Sequence, residues 1–271
     1  TEENMQFCFE RGRSISGQLT LRTFKFFADG ALGSRGAWLH HPYSDAPDTC
    51  GLQLLHEPAF TNQLARIKQH GFQAATHAIG DAANHFVLNA YAKVLPPDNN
   101  LRWRLEHAQI ITPKDIELII KYRIIPSVQP THATSDMYWV HQRLSNRIQN
   151  AYTWRRLLQA SGLLAAGSDF PVEHINPLLG FYAATARKDV HGRPPDGFFA
   201  EQSLTRLEAL KAMTIWAAFA AFEEHERGSL QTGKLADITV LDTDLMTAPL
   251  EQIPQAKVLL TLLGGKTVYK C

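Results

Sequence analysis

The sequence predicts an α/β protein built around a parallel β-sheet, followed by a short region made of strands alone. Up to about residue 226, short apolar segments alternate with segments of helical spacing, which is the pattern of βαβ units. After Glu226, the segments GSLQTGKLADITVLD and VLLTLLGGKTVYK predict short strands joined by glycine turns. Several of the earlier apolar segments end on a histidine, lysine or aspartate. We therefore expect a parallel sheet with chemistry at the C-terminal ends of its strands.

Composition narrows the class of protein. The chain has 271 residues, 45% of them hydrophobic, with 27 Lys and Arg against 26 Asp and Glu. This near-neutral balance gives no electrostatic signature of nucleic acid or of an anionic membrane, and no apolar run is long enough to span a bilayer. The three cysteines (Cys8, Cys50 and Cys271) are scattered, which argues against a disulfide scaffold and against a thiolate zinc site. We expect a cytoplasmic protein, although the sequence opens without methionine and export stays open.

The first strand lies within Leu21 to Ala37, an apolar, aromatic-rich run that ends in Asp-Gly and Gly-Ser turn signals. Its apolar character predicts burial on both faces. Lys25 sits in the middle of this strand and Asp29 at the turn. A buried lysine is costly unless its charge is paired or chemically removed, so Lys25 is either a side chain that reaches water or a functional group.

The elements that follow can be assigned in order from periodicity, caps and breakers. A loop covers 38–56, and Asp81 is expected to cap the second helix while Thr112-Pro113 opens the third. The predicted helices are 57–70, 82–95, 113–122, 145–160, 177–189 and 204–224, the last one broken near Thr214, and the predicted strands are 72–78, 101–108, 123–129 and 163–168.

Four of the five predicted parallel strands end on a side chain that can bind a metal or transfer a proton. These are Lys25, His77, His107 and Asp169. A single histidine at a strand end is usually structural, but four such groups on successive strands would converge in a closed barrel. Imidazole and oxygen ligands without thiolate favour zinc, and less strongly manganese, nickel or iron.

The motifs FKFFADGALGSRGA, THAIGD, LEHAQ and AAGSDFPV resemble the amidohydrolase superfamily, and more narrowly its YtcJ-like branch of the amidohydrolase-3 type, which includes N-substituted formamide deformylases. The resemblance implies the C-terminal portion of a metal-dependent hydrolase. Its fold would be a (β/α)8 TIM barrel present only in part, about strands 4–8, over residues 1–226. Residues 227–271 would supply the C-terminal strands of a small β-sandwich.

The resemblance also implies a ligand set and a reaction. Lys25 would be carbamylated and, with His77, His107 and Asp169, would bind one or two divalent metal ions, zinc being favoured. A metal-activated water would attack an amide, formamide or cyclic imide, and Asp169 would pass its proton to the leaving group. The expected partner is a small-molecule substrate, with a homo-oligomer as a candidate assembly.

One motif of the family is missing from the sequence. The HxH pair of the first strand has no counterpart before Lys25, and His40-His41 is adjacent in a loop and does not replace it. We therefore expect this chain to be an inactive fragment of a longer hydrolase. The alternative is a non-catalytic regulatory protein or remnant that keeps the hydrolase fold. An incomplete barrel would also leave the Lys25 strand with an open edge.

Weaker candidates lie in the loops. Arg35 could bind a substrate carbonyl or carboxylate, or form a surface ion pair. His132, expected in an exposed loop, could contact substrate. Glu106 is expected on the side of its strand opposite to His107, paired with a basic residue outside the barrel.

Overall fold

A computed structural model describes residues 2–17 and 19–271. The chain divides into two compact units. The first unit runs to Pro126 and also includes Gln142–Ala151, and the second consists of Ser127–His141 and Tyr152–Cys271. This division does not coincide with the predicted boundary between residues 226 and 227, which stays a prediction.

Helices and parallel strands alternate as the sequence predicts. The strands are β1 (Ser14–Ser16), β2 (Leu19–Leu21), β3 (Thr23–Phe27), β4 (Gln73–Ala78), β5 (Arg104–His107), β6 (Ile125–Val128), β7 (Ala165–Ala166), β8 (Ile238–Leu241), β9 (Val258–Leu263) and β10 (Lys266–Lys270). The α-helices are α1 (Glu2–Arg11), α2 (Ala59–Gln69), α3 (Asp81–Val94), α4 (Pro113–Lys121), α5 (Pro130–Asp136), α6 (Val140–Leu144), α7 (Trp154–Ser161), α8 (Pro177–Ala186), α9 (Arg206–Met213) and α10 (Ile215–Ala220). Short 3-10 helices cover Ser145–Asn150, Ala200–Gln202 and Leu250–Gln255.

The parallel sheet of the first unit is centred on β4. Strand β4 pairs in parallel with β3 on one side and with β5 on the other, and the amide of Ile125, the first residue of β6, donates to the carbonyl of Trp103 at 2.9 Å. All six residues of β4 are buried, as is typical of a central strand in a parallel sheet, and α2 and α3 both contact this strand.

The prediction that the Lys25 strand is buried on both faces is wrong. Lys25 is exposed and Phe27 is 54% exposed in β3. Within residues 2–17 and 19–271, β3 pairs with β4 along one side only, so that its other edge has no covering strand. The expected open edge at this strand is thus present in the described structure.

Helix boundaries show which sequence signals decided local structure. Thr112 caps α4 through a hydrogen bond from the amide of Asp115, with Pro113 at the first helical position, as predicted. The N-cap of α3, in contrast, is Gly80, and Asp81 is the first helical residue. Gly80 is required because a β-carbon there would lie 1.9 Å from the carbonyl oxygen of Trp38. The close approach of two backbone segments therefore takes precedence over capping preference.

The predicted helix over residues 145–160 is wrong in its first half. Ser145–Asn150 forms a 3-10 helix, Ala151 pairs with Ile110 in an isolated bridge, and Tyr152 has a φ of 55°. Because that left-handed backbone cannot continue a helix, α7 starts only at Trp154. The predicted break near Thr214 is confirmed, since α9 ends at Met213 and α10 begins at Ile215.

In the second unit, the last residues of β6 pair in parallel with β7, with Ser127 opposite Ala165 and Val128 opposite Ala166. Strands β8, β9 and β10 form an antiparallel sheet in the order β10-β9-β8. The predicted strands of the C-terminal region are thus present, but the expectation of strands alone is wrong, because the 3-10 helix Leu250–Gln255 lies between β8 and β9. In the described part of the chain, no helix has the length and apolar character needed to cross a bilayer.

Replacing Gly80 by alanine is expected to destabilise the protein by about 3 kcal/mol or more, because the added carbon overlaps the Trp38 carbonyl. Urea unfolding of wild type and Gly80→Ala measures this difference. Gly167→Ala is the matched control, since a β-carbon at Gly167 meets no atom within 4 Å. Equal midpoints for Gly80→Ala and Gly167→Ala would contradict the assignment.

Candidate active site

His77 and His107 meet at the C-terminal ends of β4 and β5. Their ring centroids lie 4.4 Å apart with an interplanar angle of 67°, and both side chains are buried. In the strand register, Ala78 rather than His77 is opposite His107. The two rings meet because His107 has a φ of 71°, which ends the extended backbone and turns its side chain toward the neighbouring strand. The structure thus brings together two of the predicted ligands.

Asp29 fixes the position of His77. One carboxylate oxygen of Asp29 lies 3.2 Å from Nε2 of His77 and accepts the amide of Ile79 at 3.0 Å, while the other accepts the amides of Trp38 and Gly80 at 2.9 and 2.8 Å. The carboxylate is almost fully buried. The same ring nitrogen of His77 also lies 3.4 Å from the carbonyl oxygen of Gly30. Both neighbours are acceptors and favour the tautomer with its proton on Nε2, an arrangement common for histidines that bind a metal through the other nitrogen.

The sequence pattern gave Asp29 only a role in the turn. Its position after an apolar strand is that of any turn aspartate, so the pattern could not reveal its three amide donors.

Glu106 lies on the same face of the sheet as His77, which corrects the prediction that it points outside the barrel. Glu106 is the register partner of His77, and partners on adjacent strands point to the same side. It accepts a hydrogen bond from Nε of Arg104 at 2.6 Å, and Arg104 also donates to Gln73 at 2.6 Å. The predicted pairing with a basic residue is confirmed, and this polar network lies on the face that carries the histidine.

Lys25 also lies on this face. Its register partner in β4 is Ala75, two residues before His77 and therefore on the same side of the strand. Its ammonium nitrogen is 4.4 Å from the ring centroid of Phe27, the contact of a cation with an aromatic face. Carbamylation of Lys25 stays a prediction.

Two predicted residues, Asp169 and His132, belong to the second unit. Asp169 follows β7, is exposed and has a φ of 57°, a rare backbone conformation for a residue other than glycine. His132 is buried within α5, so the expectation of an exposed loop is wrong. Its Nε2 lies 3.9 Å from a carboxylate oxygen of Glu173, which accepts a hydrogen bond from Ser135 at 2.7 Å. Their roles in catalysis and substrate binding stay predictions.

Arg35 forms a two-point ion pair with Asp45, at 3.1 Å from Nε and 2.9 Å from the terminal nitrogen. Arg143 binds the same carboxylate. The hydrogen bond from Arg35 is the main reason why the pKa of Asp45 lies below its ordinary value. Of the two roles considered for Arg35, the ion pair is present, and substrate binding stays a prediction.

The histidine pair fits part of a metal site. Two imidazoles that approach each other, one of them bound to a carboxylate, are a suitable donor set for zinc. Among residues 2–17 and 19–271, no three His, Cys, Asp or Glu side chains form a group that could hold a metal ion. The roles of His77 and His107 as metal ligands stay predictions.

The fold places histidines at the ends of parallel strands, and comparison with known proteins gives the family. The model of the amidohydrolase family matches residues 2–269, so the chain belongs to that family. It is 36% identical over 264 residues to the Bacillus subtilis protein YtcJ, which is described as an amidohydrolase. The match covers 97% of this chain and 50% of YtcJ. It is also 36% identical over 264 residues to the Arabidopsis thaliana protein LONG AFTER FAR-RED 3, covering 96% of this chain and 45% of that protein. The chain spans about half the length of these curated relatives.

The chain also resembles a solved structure. The chain superposes on an uncharacterized metal-dependent hydrolase from Pyrococcus horikoshii with a TM-score of 0.82 and 27% identity, covering 92% of this chain and 50% of that one. Two relatives are more distant. The N-substituted formamide deformylase of Arthrobacter pascens is 27% identical, over 76% of this chain and 38% of that protein. The exoenzymes regulatory protein AepA of Pectobacterium carotovorum subsp. carotovorum is 24% identical, over 55% of this chain and 31% of that protein.

Asp29→Asn is expected to destabilise the protein by about 2 kcal/mol. The NH2 group of asparagine would replace one carboxylate oxygen, and it cannot accept a hydrogen bond from the backbone N–H that faces it. The exposed Asp45→Asn is the matched control and should change stability much less, since surface ion pairs contribute little. Urea unfolding checks the stability, and nitrogen-15 NMR of His77 checks the tautomer, which we expect to carry the proton on Nε2 in the wild type. A proton on Nδ1 would contradict the proposed role of Asp29.

Proposed function

We propose that this chain forms part of a metal-dependent hydrolase that attacks a C–N bond in an amide, formamide or cyclic imide. The observation that carries the proposal is the buried pair His77 and His107, with His77 held by Asp29 at the end of β4. Similarity to the formamide deformylase of Arthrobacter pascens supports the type of bond.

The proposed roles follow from the chemistry of each side chain. His77 and His107 would hold a divalent metal, for which zinc is the favoured ion, and a carbamate on Lys25 would add oxygen ligands. When bound, the metal lowers the pKa of a water molecule so that a nucleophile is available near neutral pH. Asp169, proposed as a further ligand, would accept a proton from the attacking water and donate it to the leaving nitrogen. The exposed carboxylate and the rare backbone conformation of Asp169 support this role.

We also propose a barrel and a β-sandwich for the two regions of the fold. The parallel strands β3 to β7 correspond to about strands 4–8 of a (β/α)8 barrel, and β8 to β10 to part of a small β-sandwich. We propose that Arg35 and His132 bind a small-molecule substrate. We also propose a cytoplasmic location and no nucleic-acid or membrane partner. A homo-oligomer would cover the exposed edge of β3.

A second candidate is a regulatory protein that keeps the hydrolase fold without its chemistry. The observation that favours it is the similarity to the regulatory protein AepA. The two candidates differ in one measurable property, which is hydrolysis that depends on Asp169.

Asp169→Asn is expected to lower kcat for amide hydrolysis roughly 10²–10⁴-fold, because the amide cannot accept and return the proton. The measurement uses the longest natural protein that carries this sequence, loaded with zinc and assayed against formamides. Asp196→Asn, an exposed aspartate elsewhere in the same unit, is the control and should keep wild-type activity. Undiminished activity of Asp169→Asn would contradict its role, and no activity in any form would favour the regulatory candidate.

The isolated chain of 271 residues is expected to retain less than one zinc ion per molecule after gel filtration, because no three His, Cys, Asp or Glu side chains of the described residues form a group that could hold a metal ion. Elemental analysis measures the zinc content. His77→Ala should remove the residual zinc, whereas His191→Ala, at an exposed histidine, should not change it. One tightly bound zinc per chain would contradict the prediction that these residues form an incomplete site.

A further inference from the structure

A cavity of about 110 Å³ lies in the second unit at the C-terminal ends of β6 and β7. Its inner wall is apolar and buried, formed by small or aliphatic side chains: Ala184, Leu204, Ala209 and Ala212. Its outer wall includes Ser168, His174 and Asn176, which are accessible to solvent. The cavity therefore has an apolar inner end and a polar mouth, which is the usual character of a small-molecule pocket.

Two glycines in the wall keep this space open. Gly167 and Gly180 both line the cavity, and a β-carbon built on either would meet no atom within 4 Å. Neither has a positive φ, so the backbone does not require glycine at these positions. Gly180 lies inside α8, where glycine is less favourable than alanine. Neither the backbone conformation nor close packing requires glycine at position 180. Its missing side chain leaves part of the cavity open.

Thr131 supplies a polar contact within the same cavity. Its hydroxyl oxygen is buried and has no hydrogen-bond partner among the described residues. A buried hydroxyl without a partner loses the hydrogen bonds that it would make in water, so a ligand that carries a donor or acceptor would restore one.

The size of the cavity limits its occupant. A cavity of ~150 Å³ lined by apolar side chains can hold one benzene molecule. The present cavity is smaller, which favours a branched alkyl group of about three or four carbons over a phenyl ring. An apolar group of this size would leave water and contact the alanines and Leu204 of the inner wall.

We propose that this cavity binds the branched alkyl substituent of the substrate, so that Gly180 determines which N-alkyl amides the protein accepts. The inference rests on the proposed function. Its link to the reaction is Ser168, which lines the mouth and directly precedes Asp169, the proposed proton acceptor. An amide with its carbonyl near Asp169 would thus extend its alkyl group inward, past Gly180.

NMR of protein labelled with carbon-13 at the methionine methyl groups tests binding without any need for hydrolysis. Met213 lines the cavity, whereas Met5, Met137 and Met246 do not, so that they serve as internal references. N-isobutylformamide is expected to shift the Met213 signal in a saturable way, and N-methylformamide should bind at least about tenfold more weakly, because it leaves the apolar wall uncovered.

Two substitutions of Gly180 separate pocket filling from loss of structure. Gly180→Leu should weaken N-isobutylformamide binding roughly tenfold or more. Ala186→Leu adds the same kind of volume to the same helix outside the cavity and should bind as wild type. Gly180→Ala should weaken binding while raising the melting temperature by about 2 °C, a combination that simple damage to the fold would not produce.

The outcomes distinguish this inference from the proposed function. A saturable Met213 shift that Gly180→Leu abolishes supports the pocket even if no amide is hydrolysed, in which case the proposed reaction alone fails. Hydrolysis of formamides with equal kcat/KM for the methyl and isobutyl compounds, in both wild type and Gly180→Leu, overturns the pocket and leaves the reaction intact. The absence of any Met213 shift also overturns it.

Discussion

The buried carboxylate of Asp29 is the interaction on which the histidine site depends. It accepts amides from two segments, at Trp38 and at Ile79 and Gly80, and it contacts the ring of His77. A buried carboxylate is tolerated only when such donors replace the water that it has lost. Gly80 completes the arrangement, because only glycine lets the backbone there approach Trp38. The turn after β3, the start of α3 and the orientation of His77 are therefore parts of one structure.

Two candidate site residues have a strained backbone. His107, at the end of β5, and Asp169, shortly after β7, have positive φ values without being glycine, as do several residues in turns elsewhere. Such conformations cost about 1–3 kcal/mol each and persist where surrounding contacts fix them. At His107 the consequence is direct, because the turned backbone brings its ring to His77. The fold thus gives up some stability to orient side chains at the ends of its strands.

Pattern alone predicts much of this arrangement. The alternation of elements and the positions of His77 and His107 follow from apolar runs of limited length, and adjacent parallel strands must bring their ends together. The face occupied by Glu106 was not predictable in this way, because the left-handed backbone of His107 breaks the alternation from which it was inferred. The helix over 145–160 fails for a similar reason, since the bridge of Ala151 to Ile110 depends on a contact between residues distant in sequence.

The most direct test of this account is the location of zinc in crystals of the longest natural protein that carries this sequence. An anomalous difference map recorded at the zinc absorption edge shows the metal independently of any assumption about its ligands. We predict a peak bonded to Nδ1 of His77 and to the ring of His107, with the Asp29 carboxylate still next to Nε2 of His77. A fully occupied zinc peak that contacts neither histidine would contradict it.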